Sequence, residues 1–284
     1  MNTLQKTAIA AAISGLFAPA AFAQAAPAAA PEPSPITANV TIVNDYRYRG
    51  ISQSNFKPAI QGGFDYAHES GFYIGNWNSS ISWISDYYGN GGGGGVTGSN
   101  VTAPVEMDFY AGFKKELIAP GFASDIGVLQ YLYPSKGIPV GNGKTFANPN
   151  TTEAYVAQNF TFGTLTGFAK FSYAMTTTFG NPNSSGSYYP DLTLNYDTGI
   201  WGITANAHVG YQYIAGATNG VSNDKYSYTD WKLGLTKDFG GGLSGAIAYI
   251  DTNAKKASGV YSYASPQAKN LGGATGIVSL TKTF

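Results

Sequence analysis

From Gly202 to Tyr213 the chain alternates strictly. Ile203, Ala205, Ala207, Val209, Tyr211 and Tyr213 fall on one face, and Thr204, Asn206, His208, Gly210 and Gln212 on the other. A period of two is the mark of a strand with one apolar and one polar face. Val105–Lys114 repeats it, with Val105, Met107, Phe109, Ala111 and Phe113 against Glu106, Asp108, Tyr110 and Lys114. So does Tyr228–Phe239, where Trp231, Leu233, Leu235 and Phe239 oppose Asp230, Lys232, Thr236 and Asp238. The pattern predicts twelve strands, over 37–49, 58–69, 71–82, 105–114, 122–133, 153–162, 164–176, 189–198, 201–213, 228–239, 243–252 and 273–284. In 71–82 and 122–133 the alternation is too broken to assign faces.

The gaps between strands alternate in length. Ser70, Lys115–Gly121, Gly163, Gly199–Ile200 and Gly240–Gly242 are tight, whereas Gly50–Lys57, Trp83–Pro104 and Asn253–Gly272 are long and rich in Gly, Asn, Ser or Pro. Short turns at one end and long loops at the other are the sequence signature of an outer-membrane barrel, with turns periplasmic and loops outside. The expected fold is therefore all-β: a transmembrane antiparallel up-and-down barrel of about twelve strands, both termini periplasmic.

The first residues carry their own message. Met1–Ala23 holds one positive charge, Lys6, then an apolar run from Thr7 to Phe17, and closes on Ala21-Phe22-Ala23. That is the layout of a cleaved secretory signal peptide. Residues 24–35 are rich in Ala and Pro and read as a periplasmic lead-in that cannot pair into a sheet. The expected organisation is a signal peptide over 1–23, the lead-in over 24–35 and one barrel over 36–284. No later run is apolar enough for a transmembrane helix, which a barrel does not need.

Composition sharpens this. Charged residues are 11% of 284, with 16 basic and 16 acidic side chains. That is too few charges to coat a soluble core of this size, and no net charge draws the chain to nucleic acid. The 37 glycines and 21 tyrosines argue against a helical fold. The absence of cysteine excludes disulfide scaffolds, thiolate metal sites and cysteine nucleophiles. Tyr46, Tyr48, Tyr66, Tyr211, Tyr213, Trp231 and Phe239 lie near predicted strand ends, where aromatic girdles meet the membrane–water interfaces.

The last strand ends Val278-Ser279-Leu280-Thr281-Lys282-Thr283-Phe284. A terminal aromatic with alternating apolar residues resembles the signal read by the outer-membrane assembly machinery, and Phe284 is its key residue; Lys282 departs from the pattern. The stretch Val40-Thr41-Ile42-Val43-Asn44-Asp45-Tyr46-Arg47-Tyr48-Arg49-Gly50-Ile51-Ser52-Gln53-Ser54 resembles the opening motif of the TorF-like porin family of proteobacterial outer membranes. Glu106–Phe113, Tyr131-Leu132-Tyr133-Pro134, Lys237-Asp238-Phe239 and the closing Lys282-Thr283-Phe284 are similar too. The resemblance covers nearly all of the chain after the lead-in. It implies a single outer-membrane barrel of porin type and no particular solute.

Candidate pore-lining residues follow from parity. Ala38, Val40 and Ile42 form the apolar face of the first strand, so Asn39, Thr41, Asp45, Arg47 and Arg49 are expected to face inward along it. These two arginines are the only ones in the chain, and two residues apart they share a face near the outer mouth. They are expected either to attract anionic groups or to brace the wall against Asp45 and other lumen carboxylates. The other inward candidates are Asp65, Glu69, Glu106, Asp108, Lys114, Lys170, Asp191, Asp197, Asp230, Lys232 and Asp238, which together give an excess of acids and a mild preference for cations. His208 faces inward mid-strand, where a hydrogen-bonding role is expected in preference to catalysis. No nucleophile, metal or phosphate-loop motif is present, and the glycine run at 89–98 reads as an external loop.

The reading that results is a channel for passive diffusion of small polar or ionic solutes, with outer-membrane lipid and the barrel-assembly machinery as partners and no cofactor or metal. The alternatives are a structural or adhesive barrel with an occluded lumen and, last, a barrel enzyme.

Overall fold

The structure, a computed structural model, describes residues 34–89, 100–138, 147–257 and 259–284. The expected signal peptide, the lead-in up to residue 33 and most of the glycine-run loop lie outside these residues. Twelve antiparallel strands close into one barrel. In chain order they are β1 (Ile36–Val43), β2 (Ala59–Ala67), β3 (Phe72–Ser80), β4 (Val105–Ala119), β5 (Phe122–Leu132) and β6 (Thr151–Phe162). They continue with β7 (Leu165–Ala174), β8 (Tyr188–Asp197), β9 (Ile203–Gln212), β10 (Tyr228–Gly240), β11 (Leu243–Thr252) and β12 (Thr275–Thr283). Each pairs with its sequence neighbours, and β12 returns to β1 with Val40 opposite Lys282 and Ile42 opposite Leu280. Closure leaves no unpaired edge, a requirement for any sheet in lipid.

Ile36 at the start of β1 pairs with Tyr66, and the Thr283 N–H near the end of β12 donates to the Gly242 carbonyl, so both ends of the barrel chain lie at the short-turn end. The other end carries long connections, called here L1 (44–58), L2 (81–104), L3 (133–150), L4 (175–187), L5 (213–227) and L6 (253–274). One short helix, α1 (Trp83–Tyr88), lies in L2.

Alternation decides which side chains leave the barrel. Ile42, Ile60, Phe64, Ile74, Phe109, Val156, Leu233, Ile247 and Val278 are all exposed on its outer surface. A continuous apolar surface of this extent does not occur on a soluble monomer. The pattern also settles the two ambiguous strands. In β3, Tyr73, Trp77 and Ser79 point inward and Phe72 and Ile74 outward; in β5, Asp125, Leu129 and Tyr131 point inward and Ile126 and Val128 outward.

The abundance of glycine and tyrosine has a packing reason. Gly75 and Tyr110 are opposite each other on β3 and β4, as are Tyr73 and Gly112. A Cβ on Gly75 would enter the Tyr110 ring, and one on Gly112 would meet the Tyr73 hydroxyl. Gly127 and Tyr155 repeat the arrangement between β5 and β6. Each large ring thus lies flat over a neighbour with no side chain, the aromatic rescue of a glycine in a sheet. The lumen of a twelve-stranded barrel is filled this way without bulging the wall.

The largest departure from the sequence pattern is at the end of β1. The strand stops at Val43 rather than running to 49. Asn44 turns back to bond the backbone of β12, donating from Nδ2 to the Gly276 carbonyl at 3.2 Å and accepting from the Val278 N–H at 2.8 Å. The chain then enters the barrel. Arg47–Tyr48 pairs with Ile51–Ser52 as a miniature hairpin, with Arg49 and Gly50 at its tip. Their φ values of 45° and 77° are both positive, the geometry of a type I′ two-residue turn. Such turns prefer Asn-Gly, so Arg-Gly is a weak sequence signal and the run 37–49 reads as one strand instead.

Candidate functional site: a lumen filled by its first loop

L1 occupies the long-loop end of the lumen and touches the wall all round. Asp45 sits at its base and accepts from Arg47 Nε at 2.6 Å and from Ser52 Oγ at 2.6 Å. Arg47 also donates to the carbonyls of Gly50 and Leu271, at 3.0 and 2.7 Å, so it ties L1 to L6. Tyr46 donates to Glu106 of β4 at 2.8 Å. Gly50 approaches β10 and β11 so closely that a Cβ would lie 2.9 Å from Asp230 Cβ and 2.4 Å from Thr252 Cγ2.

Arg49 reaches furthest. It donates to Glu153 of β6 at 2.7 Å and to Gln212 of β9 at 2.5 Å. Its guanidinium also lies over the Tyr189 ring of β8 at 4.1 Å and the Tyr48 ring at 4.9 Å. Burial works against this cation, but the Glu153 carboxylate beside it and the Tyr48 and Tyr131 phenols together hold its pKa above the ordinary arginine value. The guanidinium is therefore a permanent charge clamped between three strands.

Arg47 and Arg49 thus differ from the sequence expectation. They do not continue the inward face of β1, they do not share one face, and neither lines an open mouth. Both are buried, at 2% and 9% exposure, and both are engaged by carboxylates. Tyr46 and Tyr48 likewise leave the expected girdle: Tyr46 is buried against Trp77, and Tyr48 packs edge-on against Tyr131 and Phe179.

The remaining candidates fall into groups on the wall. On β4, Glu106 and Asp108 are buried two residues apart, and Glu106 Oε2 and Asp108 Oδ1 accept no hydrogen bond. Glu153, which the parity argument did not single out as a pore residue, completes this acidic sector and carries the ion pair with Arg49. Its signal was available, since Glu153, Tyr155 and Ala157 alternate with Ala154 and Val156.

A second group centres on Asp230. It accepts from Tyr189 at 2.7 Å and faces His208 Nε2 at 3.1 Å, while His208 Nδ1 meets Thr193 at 2.9 Å. Lys232 follows Asp230 on the inner face of β10, and Lys170 of β7 stands opposite Asp191 of β8 in the ladder. Lys170 also lies over the Tyr155 ring at 4.8 Å. Nearer the short-turn end, Asp65 accepts from Tyr110 and Asp125 from Tyr73, and Lys114 donates to Asn159 at 3.1 Å. Glu69 and Asp238, expected inside, are exposed at the short turns instead. His208 thus sits among a hydroxyl, a phenol and a carboxylate, those of Thr193, Tyr189 and Asp230. No cluster of three or more potential metal ligands occurs among the described residues.

At the closing seam, Phe284 N–H donates to Ala38 O at 2.9 Å, and the Lys282 ammonium turns back to the Gly241 carbonyl and over the Phe284 ring. The departure at Lys282 is thereby accommodated at the rim.

The chain belongs to the Gcw_chp family, described as a bacterial protein of unknown function, whose model matches residues 26–284. Among curated proteins no sequence match is found. Solved structures of similar fold include the KdgM porin, at 7% identity and a TM-score of 0.50, with 88% of this chain and 98% of that one covered. The NanC porin is similar at 8% identity and the same TM-score and coverage. At these identities the likeness is one of fold: a closed twelve-stranded porin-type barrel.

Proposed function

We propose that this member of the Gcw_chp family is an outer-membrane channel for small polar or ionic solutes, held narrow by its own first loop. The observation that carries the reading is the two-sided wall: a belt of exposed apolar side chains outside, and inside an array of charged and hydroxyl groups that no soluble function requires. The porin fold and the resemblance to TorF-like porins support it. Twelve strands give a lumen between the side-chain-filled interior of about eight and the open channel of 16–18. The inward L1 hairpin narrows it further.

In this reading 1–23 is cleaved on export, 24–35 trails into the periplasm, and the long loops face outward. Phe284 and the apolar positions of β12 serve the assembly machinery. Solutes pass without covalent chemistry, cofactor or metal. Swelling of proteoliposomes in isotonic neutral solutes of graded size tests this. Solutes of monosaccharide size or smaller are expected to enter, and permeability should fall steeply above that; no swelling with any solute removes the channel.

A second reading has its own support. Because L1 is clamped to the wall on several sides, a permanently closed barrel that works through its external loops is the alternative, and the same assay separates the two.

A further inference from the structure

Four loops, L2, L4, L5 and L6, converge above the L1 hairpin on a partly open cavity of about 120 Å³. One water needs roughly 10–15 Å³ of such space, so the cavity takes a single ring of about a dozen heavy atoms. Its walls are mainly aromatic. Tyr48 comes from L1, Trp83 and Tyr87 from α1, Phe179 from L4, and Tyr226 and Tyr263 from L5 and L6. All six are half-buried, so part of each ring stays open to an occupant. The rings are held by one another: Phe179 sits edge-on to Tyr48 at 5.4 Å, Trp83 to Tyr133 at 5.4 Å, and Tyr226 to Tyr263 at 5.8 Å. Between them stand the amides of Gln53, Asn55, Asn181 and Gln212.

Charge selects the ligand class. Among the described residues no lysine or arginine lines the cavity, and the one carboxylate among them, Asp86, already accepts from Ser82 at 2.7 Å. Arg49 lies behind the Tyr48 ring and is neutralised by Glu153. Burial pushes the phenols of Tyr87 and Tyr263 up, so they remain neutral hydroxyls. An anion would find no cation here. Gln53 and Asn181 already donate to the Ile51 and Thr178 carbonyls, and Gln212 is held by Arg49 and the Tyr188 and Tyr213 carbonyls, which leaves the Asn55 amide and the side-chain oxygens of Gln53 and Asn181 to an occupant. A purely apolar molecule would strip water from these groups without replacing it. An uncharged molecule with an apolar face and a hydroxyl rim satisfies both halves of the lining.

We propose that this vestibule is a binding site for a neutral saccharide ring, stacked on Trp83 and Phe179 and hydrogen-bonded at its edge by the amides. It deepens the channel reading by naming a substrate class, and rests on that reading only for what happens after binding. Gln212 belongs both to the cavity and to the Arg49 clamp, so an occupied vestibule bears directly on L1.

The test is binding to the refolded full chain in detergent micelles, where no flux is involved. Tryptophan fluorescence and calorimetry follow titration with maltose, cellobiose and glucose, and with choline as an organic cation of similar size. Saturable binding of at least one sugar is expected. Trp83→Ala should weaken it about tenfold, or about 1.4 kcal/mol. Phe179→Leu, which keeps the bulk and the fold but removes the aromatic face, should also weaken it severalfold, and covers the case in which Trp83→Ala fails to fold. Absence of sugar binding, choline binding in place of sugar, or sugar binding that survives both substitutions would overturn the proposal. A barrel that binds maltose but does not conduct refutes the channel and leaves the vestibule standing; one that conducts and binds no sugar does the reverse.

Discussion

Replacing Arg49 with Ala removes the one side chain that ties L1 to three strands at once. At 2.7 Å from Glu153, and with an effective dielectric constant near 20, the attraction is on the order of 6 kcal/mol. Stripping water from both groups costs several kcal/mol each, so the intact pair is worth little against an apolar replacement of the same shape. The single substitution differs, because it leaves the Glu153 carboxylate buried at 2% exposure without its cation. Breaking a buried pair in this way costs about 3–5 kcal/mol. Loss of stacking on Tyr189 adds about 0.5–2 kcal/mol. Two routes relieve that penalty: the barrel unfolds more readily, or L1 swings out and lets water reach Glu153. Urea unfolding of the refolded barrel reads the first, and protease cleavage within 46–56 reads the second. Arg49→Ala should move at least one by the equivalent of about 3 kcal/mol. Arg49→Met with Glu153→Leu should recover most of that loss, because no charge is left behind. If Arg49→Ala changes both by less than about 1 kcal/mol, or if the double variant is worse than the single, the clamp does not hold L1 as described.

Gly50→Ala should release L1 by a different route, since its Cβ would collide with Asp230 and Thr252 and its φ of 77° is strained for any side chain; faster proteolysis of L1 with an intact barrel band on unheated gels checks it. Glu106→Gln with Asp108→Asn removes two of the three acids in the buried sector, so the reversal potential in a KCl gradient should move toward anions; an unchanged potential in a conducting channel assigns selectivity elsewhere. A tag inserted at Gly241–Gly242 should be hidden from labels on intact cells and one at Asn219–Gly220 accessible, and the reverse result would invert the topology. Deleting Phe284 should lower outer-membrane levels while the refolded barrel in detergent keeps its melting temperature; normal membrane levels would deny the residue a role in assembly.

Most of the barrel was legible because lipid outside and a polar lumen inside impose the same alternation on every strand. Leu243–Thr252 matches the pattern end to end, and the other predicted boundaries fall within a few residues, apart from the end of β1 and the longer β4. The inward parity of Asp65, Glu106, Asp108, Lys170, Asp191, His208, Asp230 and Lys232 follows from that rule alone. What the rule cannot reach is a loop that folds back. Asp45, Arg47 and Arg49 continue the period of β1 by coincidence, while the turn at Asn44 and the αL pair at Arg49-Gly50 decide where they go. The partners of Arg49, Glu153 and Gln212, lie over a hundred residues away and leave no local trace. The Gly–Tyr pairs were visible only as composition, because register, not spacing, sets Gly75 against Tyr110.

Single-channel recording in planar bilayers, comparing the parent chain with a variant in which 46–55 is replaced by a short glycine linker, reaches the central claim most directly. A narrow channel constricted by L1 should give small, discrete conductance steps in the parent and steps severalfold larger in the variant. Equal conductance in the two would show that L1 does not set the bore, and silence from both would contradict the channel itself.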